Sequence, residues 1–187
     1  MLRALFLLLL LVIAAAACSN PNAVNTATLL NELDTDTLYS LATGPLTRPS
    51  AYSLNVRNGV RIYEVGTAFE FAFSMDSTGR AVLLPLDVLG LAGTAAVKPG
   101  LLPSTLTFDG MTKAPLNGYI TSDTLPIVEG DRFFLRTAVN TCAVLGVPLY
   151  GKLEVIKIDT ATASVTLSIV ADQNCGYRGL GLGIPKN

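Results

Sequence analysis

The chain has 187 residues, 50% of them hydrophobic, with 13 basic and 14 acidic side chains, no histidine and a formal net charge of −1. This length suits one modest domain, and the balanced charge argues against a nucleic-acid partner. Without histidine the chain lacks the general base of Ser/His/Asp and Cys/His catalysis and the commonest metal ligand. We therefore expect a protein that is not an enzyme and that holds no cofactor and no metal.

The amino-terminal segment has the layout of a secretory signal peptide. Arg3 supplies a positive charge, residues 4–17 are fourteen continuous apolar residues, and the chain becomes polar from Ser19. A spanning helix needs about 20 apolar residues, so this run is too short for a permanent transmembrane anchor. We predict that residues 1–17 are a signal peptide and that the protein is exported.

The end of this apolar run carries a second signal. Residues 15–18 read Ala-Ala-Ala-Cys, which resembles the lipobox of bacterial lipoproteins, where small residues precede a cysteine that becomes the lipidated first residue. The resemblance implies lipid on Cys18, a membrane as partner and a location in the bacterial cell envelope, with Ser19 compatible with the outer membrane. Alanine rather than leucine stands three positions before Cys18, so ordinary cleavage after Ala17 is the alternative.

Cysteine usage agrees with export. An exported protein with three cysteines has one odd thiol. If Cys18 carries lipid, Cys142 and Cys175 remain as a pair in an oxidising compartment, where a disulfide persists. Closing a loop of about 33 residues would stabilise the fold by roughly 3 to 4 kcal/mol in the chain-entropy model. Two buried free thiols are the alternative.

The rest of the chain divides into a tether and one domain. Residues 18–34 begin with the lipidated cysteine and continue with Asn, Thr, Ala and Pro, which is typical of a disordered tether. Residues 35–187 are predicted to form a single all-β domain, an antiparallel sandwich or a barrel-like fold. Its glycine-rich end, with Gly179, Gly181 and Gly183, is predicted to be a short flexible tail.

Three hairpins support the all-β prediction. Residues 69–76 alternate large apolar with small or charged side chains, and a four-residue turn would place Phe73 opposite Val82. Around Asn58-Gly59, a three-residue loop 57–59 with Gly59 in the left-handed conformation fits best. The remaining hairpin and the other predicted strands are residues 152–158 with 165–171, where Ile156 shares a face with Val165 and Leu167, and residues 38–42, 105–108 and 132–139.

Candidate binding and ligand residues are few. Tyr150, Tyr177 and Arg178 lie near the predicted disulfide, and amphipathic aromatics and arginine are enriched at binding surfaces, so these three are the predicted ligand-binding residues. The acidic pairs Asp34 with Asp36 and Glu129 with Asp131 lack the pattern of a calcium-binding loop, and we interpret them as cap and turn residues.

Two later segments resemble a known family. Residues 130–137 read Gly-Asp-Arg-Phe-Phe-Leu-Arg-Thr, and residues 149–155 read Leu-Tyr-Gly-Lys-Leu-Glu-Val. They resemble the carboxy-terminal half of HmuY-type haem-binding lipoproteins, which implies an all-β surface lipoprotein that captures haem. The histidine ligands of that family have no counterpart here. Met75 and Met111 are the only thioethers of the mature chain, and we assign no haem ligand.

Taken together, the sequence predicts a non-enzymatic, membrane-anchored lipoprotein of the bacterial envelope with a binding or structural role. An envelope protein or a small hydrophobic ligand is the expected partner, besides the membrane. Capture of haem or of a small hydrophobic ligand is one alternative function. A hydrolase that uses a pair of carboxylates is a second, although no pair among the 14 acids stands out.

Overall fold

The computed structural model describes residues 26–138, 142 and 146–186. This part of the chain contains ten β-strands and one short helix. Residues 1–17 and Cys18, with the predicted signal peptide and lipidation site, lie outside that part. The elements are β1 (Leu33–Tyr39), β2 (Ala51–Ser53), β3 (Asn58–Val60), α1 (Ile62–Val65), β4 (Phe71–Met75), β5 (Ala81–Pro85), β6 (Gly100–Ser104), β7 (Leu125–Pro126), β8 (Arg132–Arg136), β9 (Tyr150–Asp159) and β10 (Ser164–Asp172).

The strands form two antiparallel sheets of five strands each. The first sheet has the order β1-β10-β9-β8-β6, and the second has the order β3-β2-β4-β5-β7. This architecture confirms the predicted all-β class and is consistent with the sandwich. In the described part of the chain, no helix is long and apolar enough to cross a membrane.

One hydrophobic core joins the two sheets. Phe71, Phe73 and Leu83 of the second sheet belong to the same buried cluster as Leu153 and Leu167 of the first sheet. All five side chains are fully buried. Burying a leucine or phenylalanine contributes about 1.5 to 3 kcal/mol relative to leaving it in water, so this shared cluster is the main reason that the sheets stay together.

The β4–β5 hairpin is present, but its predicted register was wrong by one residue. Phe73 lies opposite Leu83 rather than Val82. The connecting loop is residues 76–80, one residue longer than predicted, and the Asp76 carboxylate accepts two backbone N–H groups inside it. Both faces of β4 are covered, so alternation of side chains does not select one register over the next.

The β2–β3 hairpin also differs from its prediction. Its loop is residues 54–57 rather than 57–59. Arg57 has the left-handed conformation, with φ of 52°, that was predicted for Gly59. The Asp34 carboxylate accepts hydrogen bonds from the Arg57 guanidinium at 3.1 and 3.2 Å. These bonds hold a non-glycine residue in a conformation that L-amino acids seldom adopt.

The β9–β10 hairpin contains a β-bulge that the sequence did not predict. Lys157 pairs with Thr166 and Val155 pairs with Leu167, so Ile156 has no partner on β10. Ile156 is 48% exposed, and the prediction that it shares the buried face was wrong. Side chains alternate between the two faces along a strand. The extra residue therefore places every β9 side chain before the bulge on the face opposite to the predicted one.

Several strand limits are shifted from the predicted ones. β1 ends before the predicted 38–42 strand is complete, and β6 precedes the predicted 105–108 strand. Residues 105–108 instead lead into a turn, in which the Thr107 Oγ1 atom accepts a hydrogen bond from the Gly110 N–H. β8 ends at its fifth residue, short of the predicted 132–139, and Val139 lies outside the described residues.

Both ends of the described chain are attached to the domain. Asn31, within the predicted tether, exchanges two backbone hydrogen bonds with Gly183, at 2.8 and 2.9 Å. The Asn31 side-chain amide also donates to the Gly179 carbonyl at 2.7 Å. Leu180 is fully buried. The prediction of a flexible tail was therefore wrong for the described residues, because hydrogen bonds and one buried leucine hold a segment of low apolar content.

Candidate functional site

A cavity of about 350 Å³ lies beside the second sheet, at the low end of the range for small-molecule sites. It is open to solvent on one side. Its walls come from β2 and the residues after it, from the segment before β4 and from the long connection between β5 and β6. The lining residues are Ser53, Asn55, Thr67, Ala68, Phe69, Glu70, Leu86, Leu91, Ala92, Ala95, Pro99 and Ala138.

Glu70 is the charged residue of this lining. Its side chain and backbone are 5% exposed, and one carboxyl oxygen accepts the Leu54 N–H at 2.6 Å. Burial raises the pKa of Glu70 from 4.5 to about 8, although the hydrogen bonds from the Leu54 and Glu70 N–H groups lower it. The carboxyl group is therefore mostly protonated at pH 7.

The backbone around Glu70 fixes the position of its side chain. The Glu70 N–H donates to the Tyr52 carbonyl at 3.0 Å, and the Glu70 carbonyl accepts the Leu86 N–H at 3.2 Å. These bonds extend the β2–β4–β5 ladder by one residue before β4 begins. The carboxyl group consequently sits on a rigid part of the sheet, as a binding group should.

The other lining side chains give the cavity a mixed character. Ser53, Asn55 and Thr67 offer hydroxyl and amide groups, whereas Phe69 and Leu86 provide buried apolar walls. Such a cavity can enclose a small molecule with an apolar body and one polar group. Among the described lining residues there is no second carboxyl group, so the pair of acids that glycoside hydrolysis requires is not assembled here.

The three predicted ligand-binding residues lie elsewhere. Tyr150 is 4% exposed and belongs to a buried cluster with Met111 and Phe134, so its predicted surface position was wrong. Tyr177 and Arg178 are half-buried. Tyr150 is the first residue of β9, and both faces of the sheet are covered at this position. Its ring therefore packs inside the domain and does not face solvent.

Tyr177 and Arg178 make internal hydrogen bonds. The Tyr177 hydroxyl oxygen accepts the Ala27 N–H at 3.1 Å, and the Arg178 guanidinium donates to the Ala114 carbonyl at 3.1 Å. These contacts fasten the ends of the described chain to the domain.

The predicted disulfide is confirmed. Cys142 and Cys175 are bonded across a sequence separation of 33 residues. The bond joins the region after β8 to the region after β10, which are both ends of strands in the first sheet.

The prediction of turn residues is confirmed for Glu129 and Asp131 and is wrong for Asp34 and Asp36, which lie within strand β1. The Asp131 carboxylate accepts the Val128 N–H within the turn before β8, and the Glu129 carboxylate accepts the Ile158 N–H of β9. Asp34 is paired with Arg57. Asp36 is partly buried, which raises its pKa. Within the described residues, no group of three or more acidic or sulfur side chains could hold a metal ion.

Neither thioether lies at the cavity. Met75 packs against the main core, and Met111 is fully buried in the cluster that contains Tyr150. The segments that resemble HmuY-type proteins form β8 and β9 with their flanking residues, and Phe133 and Phe134 are nearly fully buried there. These aromatic residues contribute to the core.

Comparison with known proteins found no matching family model, no matching curated protein and no matching solved structure.

Sequence reasoning missed Glu70. The alternation of Phe69, Phe71 and Phe73 was interpreted as one buried face, with Glu70 on the solvent side. The small residues Ala72 and Ser74 on that second face were the available signal. Small side chains allow another segment to approach closely, and here the connection after β5 covers that face.

Proposed function

We propose that this chain is an exported, lipid-anchored protein of the bacterial envelope with a non-catalytic binding role. The observation that carries the proposal is the disulfide between Cys142 and Cys175. It accounts for two of the three cysteines, and it fits an oxidising compartment outside the cytoplasm. Cys18 is thereby left for lipid, at the end of the apolar run that precedes it.

The proposed anchor is strong enough to be permanent. Diacylglycerol and an amide-linked acyl chain on Cys18 supply three hydrocarbon tails, and each buried CH₂ contributes about 0.8 kcal/mol. A single myristoyl chain gives only marginal binding, whereas three chains make dissociation negligible. The domain would be confined to the membrane surface, where its local concentration toward envelope partners is raised.

The beginning of the described chain supports a position close to the bilayer. Thr26 lies eight residues after Cys18, a distance of at most about 29 Å for an extended chain. Leu30 is 51% exposed and Ile184 is 49% exposed. These two residues flank the paired Asn31 and Gly183 in an antiparallel arrangement, so they are neighbours on the surface of the domain.

The Glu70 cavity supports a binding role rather than catalysis. It holds one carboxyl group on a rigid strand extension, with an apolar wall and no second acid among its described lining residues. Capture of haem remains the alternative that the HmuY resemblance suggests. A Soret shift on titration with haemin would favour that alternative, and an unchanged spectrum would count against it.

Intact-mass analysis tests the anchor directly. We expect the mature protein extracted from membranes to begin at Cys18 and to carry the added mass of diacylglycerol and one acyl chain. Cys18→Ser should leave the membrane fraction or remain unprocessed, while the matched variant Ser19→Ala should stay lipidated. An unmodified chain that begins at Cys18, or one that keeps Met1, would contradict the proposal.

A further inference from the structure

We propose that the cavity at Glu70 binds a small organic cation, namely an ammonium group on a compact apolar body. This inference rests on the proposed binding role but not on the lipid anchor. Glu70 supplies the one charged side chain of the described lining, and the apolar wall of Phe69 and Leu86 lies next to it. The cavity therefore offers a single anionic contact inside a mostly uncharged space.

The Glu70 carboxyl group has unused capacity to accept hydrogen bonds. An ionised carboxylate offers about four acceptor positions, and the side chain accepts one bond from another residue, the Leu54 N–H. An ammonium group has three donors and no acceptor, so it matches the remaining positions. The hydroxyl and amide groups of Ser53, Asn55 and Thr67 line the same space. They can accept hydrogen bonds from the ammonium N–H groups that do not point at Glu70.

No cation of the described chain satisfies Glu70. Lys98 and Asp87 adjoin the lining residues Pro99 and Leu86 in sequence, but they are paired with each other at 2.7 Å. Burial is the main cause of the raised pKa of Tyr52 on β2, and the charges of Asp36, Asp34 and Glu70 raise it further. Tyr52 carries no charge below that pKa. A bound ammonium would therefore be the first positive partner of this buried carboxyl group, which favours its ionised form.

Ligand binding should release a proton. Burial raises the pKa of Glu70 to about 8, so the empty cavity holds a neutral carboxyl group at pH 7 and an ionised one at pH 9. The carboxyl O–H bond breaks on binding, its proton passes to the buffer, and the ammonium keeps its own protons because aliphatic amines have a pKa of about 10.4. The proton release should therefore be larger at pH 7 than at pH 9.

Cyclohexylammonium is a suitable probe, and cyclohexanol is its neutral counterpart. We would titrate the full-length protein in detergent micelles and follow the Leu54 amide signal by NMR, since that N–H donates to Glu70. Cyclohexylammonium should bind about tenfold more tightly at pH 9 than at pH 7, because the ionised fraction of Glu70 rises about tenfold. Cyclohexanol should show no such increase.

Two variants separate the carboxyl group from the cavity. Glu70→Gln keeps an acceptor for Leu54 but removes the charge, and it should weaken cyclohexylammonium binding at least tenfold at pH 9. Leu91→Trp fills the partly exposed mouth without altering Glu70 and should also block binding. Glu64→Gln, an exposed acid on α1 outside the lining, is the control and should bind as the unaltered protein does.

Two results would contradict the proposed binding of an ammonium group at Glu70. Equal affinity in the unaltered protein and in Glu70→Gln would overturn the inference, and so would an unmoved Leu54 signal at 50 mM probe, a concentration chosen to detect affinities of about 10 mM. If Glu70→Gln does not fold, Leu91→Trp and the pH dependence of the unaltered protein still decide. Neither result bears on Cys18, whose modification is tested separately by mass.

Discussion

At the residue scale, Glu70 combines two opposing properties. Its carboxyl group accepts the Leu54 N–H and so holds the beginning of the 54–57 loop, yet ionisation of the group in a buried position is unfavourable. The neutral form of the Glu70 side chain is therefore compatible with the fold, whereas the charged form destabilises it. A residue with this balance is sensitive to pH and to any cation that enters the cavity.

We expect Glu70→Gln to become more stable relative to the unaltered protein as pH rises. The folded pKa of Glu70, about 8, exceeds the ordinary 4.5, so its contribution to stability is complete below pH 4.5 and is lost as pH rises through 8. The full difference is on the order of a few kcal/mol. Glutamine does not titrate and should lack this loss.

Urea unfolding of both proteins at pH 5 and pH 8.5, with the disulfide intact, measures this difference. The Glu70→Gln variant should gain relative stability between the two pH values. Glu64→Gln serves as the exposed control and should follow the unaltered protein. Parallel stability curves for Glu70→Gln and the unaltered protein would show that Glu70 has an ordinary pKa in the folded state.

Tyr177 and Arg178 use polar atoms for contacts within the domain. Both have the amphipathic character that is enriched at binding surfaces, and both were predicted as ligand contacts. In the structure their polar atoms meet backbone groups at Ala27 and Ala114. The sequence contains no local signal for these contacts, because the partners are remote along the chain.

The alternation of apolar residues predicted which strands pair as hairpins more reliably than it predicted which residues lie opposite each other. The period-two pattern around Phe71 and the turn residues before β8 correctly predicted strands. The predicted register failed at β4, where both faces of the strand are covered and either facing buries apolar groups. The bulge at Ile156 was also beyond prediction, since it depends on the turn and on the pairing with β10.

We expect Val155→Thr to destabilise the fold and Ile156→Thr to leave it nearly unchanged. Val155 is 1% exposed in the main core, whereas Ile156 is 48% exposed at the bulge. Burying the threonine hydroxyl without a partner costs about 1 to 3 kcal/mol, while exposed substitutions stay within about 0.5 kcal/mol. Thermal or urea unfolding of the two single variants measures the contrast, and the reverse order would place Ile156 on the buried face.

At the scale of the whole molecule, the cavity could not be predicted from the sequence. Its lining comes from segments between Ser53 and Ala138 that meet only when the second sheet and its connections are assembled. The fold class and the Cys142–Cys175 bond could be predicted, because strand periodicity and cysteine number are properties of the chain itself. Glu70 acquires its character from burial, which no single residue encodes.

The two ends of the described chain meet on one side of the domain. The Asn31–Gly183 pair and the bond from Ala27 to the Tyr177 hydroxyl bring the first described residues against the last ones. The disulfide at Cys175 lies only two residues before Tyr177, so it stabilises the region to which the amino-terminal segment is attached.

Removal of the disulfide should therefore destabilise the whole domain. For a closed loop of about 33 residues, the chain-entropy model gives a loss of about 3 to 4 kcal/mol for the double variant Cys142→Ala, Cys175→Ala. Urea unfolding with and without reductant measures the loss. Reductant should destabilise the unaltered protein by a similar amount and should leave the double variant unaffected. If the unaltered protein unfolds at the same urea concentration in both conditions, the bond either is not formed in solution or does not constrain the unfolded chain.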